Sequence, residues 1–275
     1  MASFTGRPFS TFYPNIISVD QTSGSGIGTI PRKIQDGIGN NSCLFLSDDE
    51  LWIYPENDNT TGTFLIYDKD GNVLFKADTS NKIVRAGSGQ VAVNTQYAYF
   101  GMTSIDALGP TEFAADTHYA IPFNFSAYRG LAANMAMGSS TSSSFNDTNP
   151  ASSLTISDTA MSIVNAYWYV MDDITIDAVK WLHAADTATG EDTAGHLMAY
   201  TVDIANGSTG GDLSSGVVVA DGANITNAGY EQIYYQSMTV QSADVDAGKV
   251  ILFTFASDTV NSDYSVKATI KYHLR

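Results

Sequence analysis

The carboxy-terminal run Ser265-Val-Lys-Ala-Thr-Ile-Lys-Tyr-His-Leu-Arg275 constrains the fold more than any other stretch. Val266, Ala268, Ile270, Tyr272 and Leu274 fall on one side of an extended chain, with Lys267, Thr269, Lys271, His273 and Arg275 on the other. Successive side chains of a strand point to opposite faces, so a period of two describes an antiparallel strand with one dry face. Such a strand needs neighbours in a sheet and a second layer over its apolar side. Further strand candidates lie at 166–170, 174–182, 196–204, 231–240 and 250–256, with a turn at Asp244-Val-Asp-Ala-Gly-Lys249. The expected class is all-β, with residues 111–275 forming an antiparallel β-sandwich that is jelly-roll-like.

The amino-terminal part reads differently. Residues 51–54, 63–67, 73–76 and 82–85 are strand candidates punctuated by turns such as Asp68-Lys-Asp-Gly-Asn72 and Asp78-Thr-Ser-Asn81. Asp-Gly and Gly-Asn steps mark tight turns where positive φ is needed, and Gln35-Asp-Gly-Ile-Gly-Asn40 is another such place. Strands this short bury little by themselves, so 31–110 is expected to be a short-stranded attachment region completed by neighbours. Residues 1–30 carry Phe4, Phe9, Phe12 and Tyr13 among Pro8 and Pro14, without a strand or helix period. They read as an extended arm, and with Ile34 they are the candidate docking residues. Residues 101–118 read as a joining segment, and 139–144 as a low-complexity loop.

Charge narrows the partners. Only 15% of residues are charged, well below the usual quarter, while Tyr (15) and Phe (13) are plentiful. The net charge is −16: residues 1–110 hold 7 basic and 11 acidic side chains, and residues 111–275 hold 6 and 18. Nucleic-acid affinity rests on cations that neutralise phosphates, so no nucleic-acid partner is expected. The acidic surface keeps crowded copies apart in solution or binds divalent cations weakly. Cys43 is the one cysteine, which excludes an intrachain disulfide and a cysteine-based metal site. No window approaches ~18 continuous apolar residues, so no membrane insertion is expected.

The residues offer little catalytic chemistry. His183 and His196 flank Asp186, Glu191 and Asp192, a conceivable metal set, but without His-x-x-x-His spacing they read better as a polar loop between strands. Asp68-Lys-Asp-Gly-Asn72 imitates the start of a calcium loop, yet Thr79 stands where the bidentate Glu belongs. Gly-rich runs at 23–28 and 86–89 lack the Gly-Lys-Ser/Thr of a P-loop, and no nucleophile elbow occurs. No catalytic residue, cofactor or metal ligand is therefore expected. Tyr167, Trp168, Tyr169 and Trp181 form the densest aromatic group. Exposed, they would stack on sugar rings; buried, they would be sandwich core.

The stretch 31–47, with its Gln35-Asp-Gly-Ile-Gly-Asn40, resembles a motif near the start of tail-fibre and related virion proteins of tailed bacteriophages. Residues 71–87 are similar to shaft repeats of phage fibres. Ile121-Pro-Phe123, the run at 247–255 and the last strand together resemble terminal domains of marine phage structural proteins. The resemblance implies a non-enzymatic virion protein (fibre, spike or head decoration), assembled in the host cytoplasm. It implies a homotrimer that docks on other virion proteins by its amino-terminal part and displays the sandwich, with a host surface glycan as a further partner. The competing readings are a stand-alone carbohydrate-binding module and a glycan-degrading enzyme.

Overall fold

The computed structural model describes residues 17–19, 27–58, 61–105, 115–124, 136–137, 165–185, 190–202, 213–229, 231–258 and 264–275, nearly all of them strand or turn. The chain divides into two compact units, Met1–Val93 and Asn94–Arg275.

The first unit holds two four-stranded antiparallel sheets. Strands β1 (Ser18–Val19), β2 (Arg32–Gln35), β3 (Asn41–Leu46) and β4 (Leu51–Ile53) form one meander. Strands β5 (Phe64–Tyr67), β6 (Val73–Asp78), β7 (Ile83–Ala86) and β8 (Val91–Ala92) form the other. Within the expected extended arm, Ser18–Val19 form strand β1, with Val19 paired with Ile34.

One turn is used twice. Asp36 and Asp68 each open a five-residue Asp-x-x-Gly-Asn hairpin that ends at Asn40 and Asn72. The Asp amide donates to the Asn carbonyl (3.0 and 2.9 Å), and the glycine amide donates back to the Asp carbonyl (3.2 Å in both). One carboxylate oxygen of each Asp accepts two backbone amides, and the Asn side-chain amide donates to the other, at 2.7 and 2.8 Å. These hydrogen bonds, led by those from Asn40 and Asn72, hold both carboxyls below the ordinary Asp range. Gly39 and Gly71 sit at φ +89° and +85°, which a side chain resists. The motif that carries the phage resemblance and the imitation calcium loop are the same turn, its carboxylate oxygens already occupied.

The second unit is a 12-stranded antiparallel array. Its strands are β9 (Thr95–Ile105), β10 (His118–Ile121), β11 (Ala136–Met137), β12 (Trp168–Tyr169), β13 (Ile174–Ala185), β14 (Asp192–Val202), β15 (Leu213–Asp221), β16 (Ile225–Thr226), β17 (Gln232–Val240), β18 (Asp244–Val245), β19 (Lys249–Ser257) and β20 (Tyr264–Leu274). One sheet runs β9-β20-β13-β17 and the other β10-β19-β14-β15. Leaving aside the two-residue strands, these are the first, eighth, third and sixth strands facing the second, seventh, fourth and fifth. That order is the jelly roll. The sheets meet at one corner through Ala220↔Val240 and Asp221↔Thr239. At the opposite corner a bridge joins Phe100 to Phe123, flanked by Gly101 N to Pro122 O (3.0 Å) and Asn124 N to Tyr99 O (2.9 Å).

Strand β9 opens this unit, so the sandwich begins before the expected boundary at 110 and takes in part of the presumed joining segment. Its inward Ala98, Phe100 and Met102 carry the same period-two signal as β20, with which it pairs from Thr95 to Ile105. The core lies between the sheets, with Trp181, Phe253, Phe255, Leu197 and Ile270 at its centre. The alternation along β20 holds from Tyr264 to Ile270, with Tyr264, Val266, Ala268 and Ile270 buried and Lys267 pointing out, but not at its end, where Tyr272 and Leu274 are half-buried and His273 is buried. Strand β19 is buried on both faces, because Val250 and Leu252 join Met198, Tyr200, Ala120 and Ala166 in a second cluster behind its sheet. Its near-continuous apolar run, Val250 to Phe255, is what two-sided burial requires.

Gly195 on β14 makes the centre possible. A Cβ there would stand 3.0 Å from the Phe253 ring and 3.1 Å from the Trp181 indole, both buried. Neither ring has room to yield. We expect Gly195→Ala to lower unfolding free energy by about 1–3 kcal/mol in urea titrations. Gly71→Ala, strained only in a solvent-exposed turn, is expected to cost about 1–2 kcal/mol.

Candidate functional site

The first unit has almost no interior. Among its described residues only Ile83 and Ala92 are buried apolar side chains. Its apolar residues instead line up on open sheet faces. Directly opposed residues share a face, and the register pairs Phe64 with Ala77, Ile66 with Phe75, Phe75 with Ala86, Ala77 with Val84, and Ala86 with Val91. One face of the β5–β8 sheet is therefore apolar at every one of these positions. Phe64 and Phe75 meet edge to face at 6.1 Å, yet Ile66 remains 45% exposed.

The β1–β4 sheet repeats the arrangement. Ile34, Leu44, Leu46, Leu51 and Ile53 lie on one face by alternation and register, interrupted by Arg32, which stands opposite Leu46, and Leu51 is 63% exposed. On the other face Phe45 meets Trp52 (6.3 Å) and Tyr54 (6.1 Å), with the Lys33 ammonium 5.6 Å over the Phe45 ring. Of the expected docking residues, Ile34 thus stands on an apolar face. Phe4, Phe9, Phe12 and Tyr13 lie outside the described residues. Register found these faces, whereas the sequence marked only one of their members.

In the second unit a cleft of about 350 Å³ is lined by Phe123, Trp168, Tyr169, Met171, Tyr272 and Gln96, among others. Its floor is aromatic. Trp168 stacks on Phe123 with planes 2° apart and centroids at 5.9 Å, and tilts against Tyr272 at 4.8 Å. Tyr169 is 51% exposed and Met171 more so, while the Tyr272 hydroxyl donates to Gln96 Oε1 at 2.8 Å. Asp172 also lines the cleft. An exposed ring beside a carboxylate, an amide and a phenol can hold the apolar face and the hydroxyls of a small polar ring.

The four aromatics singled out by sequence separate. Trp168 and Tyr169 line the cleft. Trp181 is 1% exposed, its Nε1 donating to Gln236 Oε1 at 2.9 Å, so it belongs to the core and has no face to offer a sugar. Tyr167 is half-buried, its hydroxyl desolvated and pushed up to about 12. Phe123, Tyr272 and Gln96 went unnoticed as site residues because strands distant in sequence bring them there. The outward alternation of Tyr169 against Trp168 is the one local hint.

The histidines correct an expectation. His196 lies on a strand as expected, but β13 and β14 reach further into the segment read as a loop, so that His183, Glu191 and Asp192 border or enter strands, and both histidines are buried. His183 stacks between Trp181 (4.9 Å) and Tyr234 (5.0 Å), with Nε2 2.8 Å from Asn227 Oδ1. His196 packs against His118 with ring centroids 4.8 Å apart. Among the described residues no group of three or more His, Cys, Asp or Glu side chains is placed to hold a metal ion. No helix among them is long and apolar enough to cross a membrane.

No family model and no curated protein matches the chain. One solved structure, "The 2.6A structure of Infectious Bursal Virus Derived T=1 Particles", aligns over 96% of this chain and 73% of that chain, at 9% identity and a TM-score of 0.13. A likeness that weak carries no argument about either fold or function.

Desolvation, with the neighbouring His196 adding to it, pulls His118 down to about 3, and desolvation pulls His183 down to about 4. Both fold neutral, whereas an unfolded His titrates near 6.5. Below about pH 6.5 the unfolded chain binds more protons, so stability present above that pH drains away as pH falls toward these values. Each contributes a slope approaching about 1.4 kcal/mol per pH unit. Asp258, raised by desolvation, acts in the opposite sense at lower pH. Urea midpoints measured between about pH 7 and 5 are expected to fall, and His118→Phe to flatten the decline.

Proposed function

We propose that this chain is a non-enzymatic structural protein of a virion, a fibre, spike or head decoration of a tailed bacteriophage, that assembles as a homotrimer. Its amino-terminal unit docks, and its jelly roll is displayed to solvent or host. The observation that carries the assembly reading is the apolar face of the β5–β8 sheet, whose Phe64, Ile66 and Val91 are exposed and whose Phe75, Ala77, Val84 and Ala86 are half-buried, seconded by the largely apolar face of β1–β4. Contiguous exposed apolar patches mark protein contacts. The Asp-x-x-Gly-Asn turn at the phage-like motif supports a scaffolding role for that stretch, since both oxygens of its carboxylate hold the hairpin. The virion assignment itself rests on the resemblance of 31–47 and of the carboxy-terminal strands to phage structural proteins.

Light scattering on the full chain tests this. A trimer is expected, and Ile66→Asp is expected to shift it to monomer at micromolar concentration while near-ultraviolet dichroism of the second unit persists. A wild-type monomer that melts cooperatively in both units would overturn the assembly reading.

A second reading is favoured by the cleft at Trp168 and Tyr169: the displayed domain carries a glycan-binding site, whether for host adhesion or as a carbohydrate-binding module acting alone. Glycan-array screening followed by calorimetry is expected to find a ligand whose affinity falls about tenfold in Tyr169→Ala, the loss of one stacking ring. Binding that is indifferent to Tyr169 would remove the cleft from consideration.

A further inference from the structure

The outer face of the β9-β20-β13-β17 sheet differs from the rest of its unit in charge. Residues 94–275 hold 6 Lys+Arg and 19 Asp+Glu, a balance of −13. Three of the six, Lys180, Lys267 and Lys271, occupy outward positions on adjacent strands β13 and β20. Within these strands and β18 the outward carboxylates are Asp177 and Asp244, at one end of the face, and the exposed Glu231 precedes β17 at the other end. Asp177 lies 3.0 Å from His273 Nδ1, and Asp244 accepts from the Thr175 hydroxyl (2.7 Å) and pairs with Arg275 (3.4 Å). The middle of the face is cationic.

Rings interleave with the ammonium groups. Register places Tyr235 beside Leu182 and Leu182 beside Lys267; Lys180 beside Thr269 and Thr269 beside Tyr99; and Lys271 beside Tyr97. Lys180 stands 5.9 Å over the Tyr235 ring. Tyr97, Tyr99, Tyr235 and Leu182 are exposed, and Ile233 at the adjoining position is 74% exposed. The exposed tyrosines are of the kind enriched in protein contacts, and the lysines among them set the charge a partner surface must complement. Four strands about 4.8 Å apart and roughly nine residues long span on the order of 600 Å², close to one side of a standard interface.

We propose that this face docks a second copy of the chain, through the carboxylate-rich surface of that copy. The inference goes beyond the proposed function, because it names a second contact between trimers that is separate from the amino-terminal apolar one. Charge decides the occupant: a unit at −13 with one cationic face carries its own complement on its other sides. Charge also decides the symmetry. Two such faces meeting each other would set lysine against lysine, so the contact joins unlike surfaces and propagates into rings or arrays instead of closing as a two-fold dimer.

The test separates the two contacts by salt. Sedimentation of the full chain is followed from about 20 mM to about 500 mM NaCl, across which screening removes interactions between exposed charges while apolar contacts persist. Growth beyond the trimer is expected at low salt, with an association constant at least tenfold lower at high salt. The variant K180E/K267E/K271E is expected to stay trimeric at every salt concentration, and K180Q/K267Q/K271Q to associate weakly. Ile66→Asp, by contrast, is expected to yield monomers that still associate at low salt. Equal growth in the Glu variant would overturn the proposal, as would a wild-type trimer that never grows. So would a wild type that binds heparin or single-stranded DNA through these lysines without self-association, which would make the occupant a polyanion. Loss of the trimer in Ile66→Asp alone bears only on the assembly reading.

Discussion

A sheet with an apolar face must have something laid on it, and the two units of this chain meet that requirement in different ways. In the carboxy-terminal unit the second sheet supplies the cover. Trp181, Phe253 and Phe255 pack between layers that are hydrogen-bonded at both corners. The inner faces of eight strands are thereby removed from water, and the largest side chains among them are fully buried. In the amino-terminal unit each four-stranded meander has a largely apolar face that is partly exposed, and only Ile83 and Ala92 are buried apolar residues among those described. Burial of apolar area is the main favourable contribution to folding, and among the described residues the two units collect it to very different extents.

Turn chemistry explains how so thin a unit still has a definite shape. Asp36 and Asp68 each gather backbone and side-chain amides around a carboxylate, and the following glycine accepts a left-handed φ. Asp78 does the same for the next turn, accepting from the amide and side chain of Asn81. Local hydrogen bonds thus set strand register where a core does not. A hairpin whose register is held by its turn can present a flat apolar face without the face itself being buried.

The polar residues of the jelly roll are distributed by the same logic. Histidines of the jelly roll are packed among rings, and burial there disfavours the imidazolium form. Lysines gather on an outer face, although the chain as a whole is strongly acidic. Aromatics divide between core and surface by one residue of alternation: Trp168 is inside, Tyr169 outside.

Much of this was legible from residues alone. Period-two alternation in β20, the run of β19 and the Asp-x-x-Gly-Asn turns determined strands, two-sided burial and hairpins, because side-chain direction and turn conformation are local properties. The shortness of the strand candidates at 51–85 likewise pointed to few buried apolar side chains, as found among the described residues of the first unit. Tertiary structure decided what lies across from what. It drew Thr95–Ile105 into the sandwich as its first strand, closed the jelly-roll order, sent Trp181 into the core and assembled Phe123, Trp168, Tyr169 and Tyr272 around one cleft. Those outcomes depend on pairings between strands far apart along the chain. Such pairings are set by how whole faces pack against one another, and no window of sequence contains both faces.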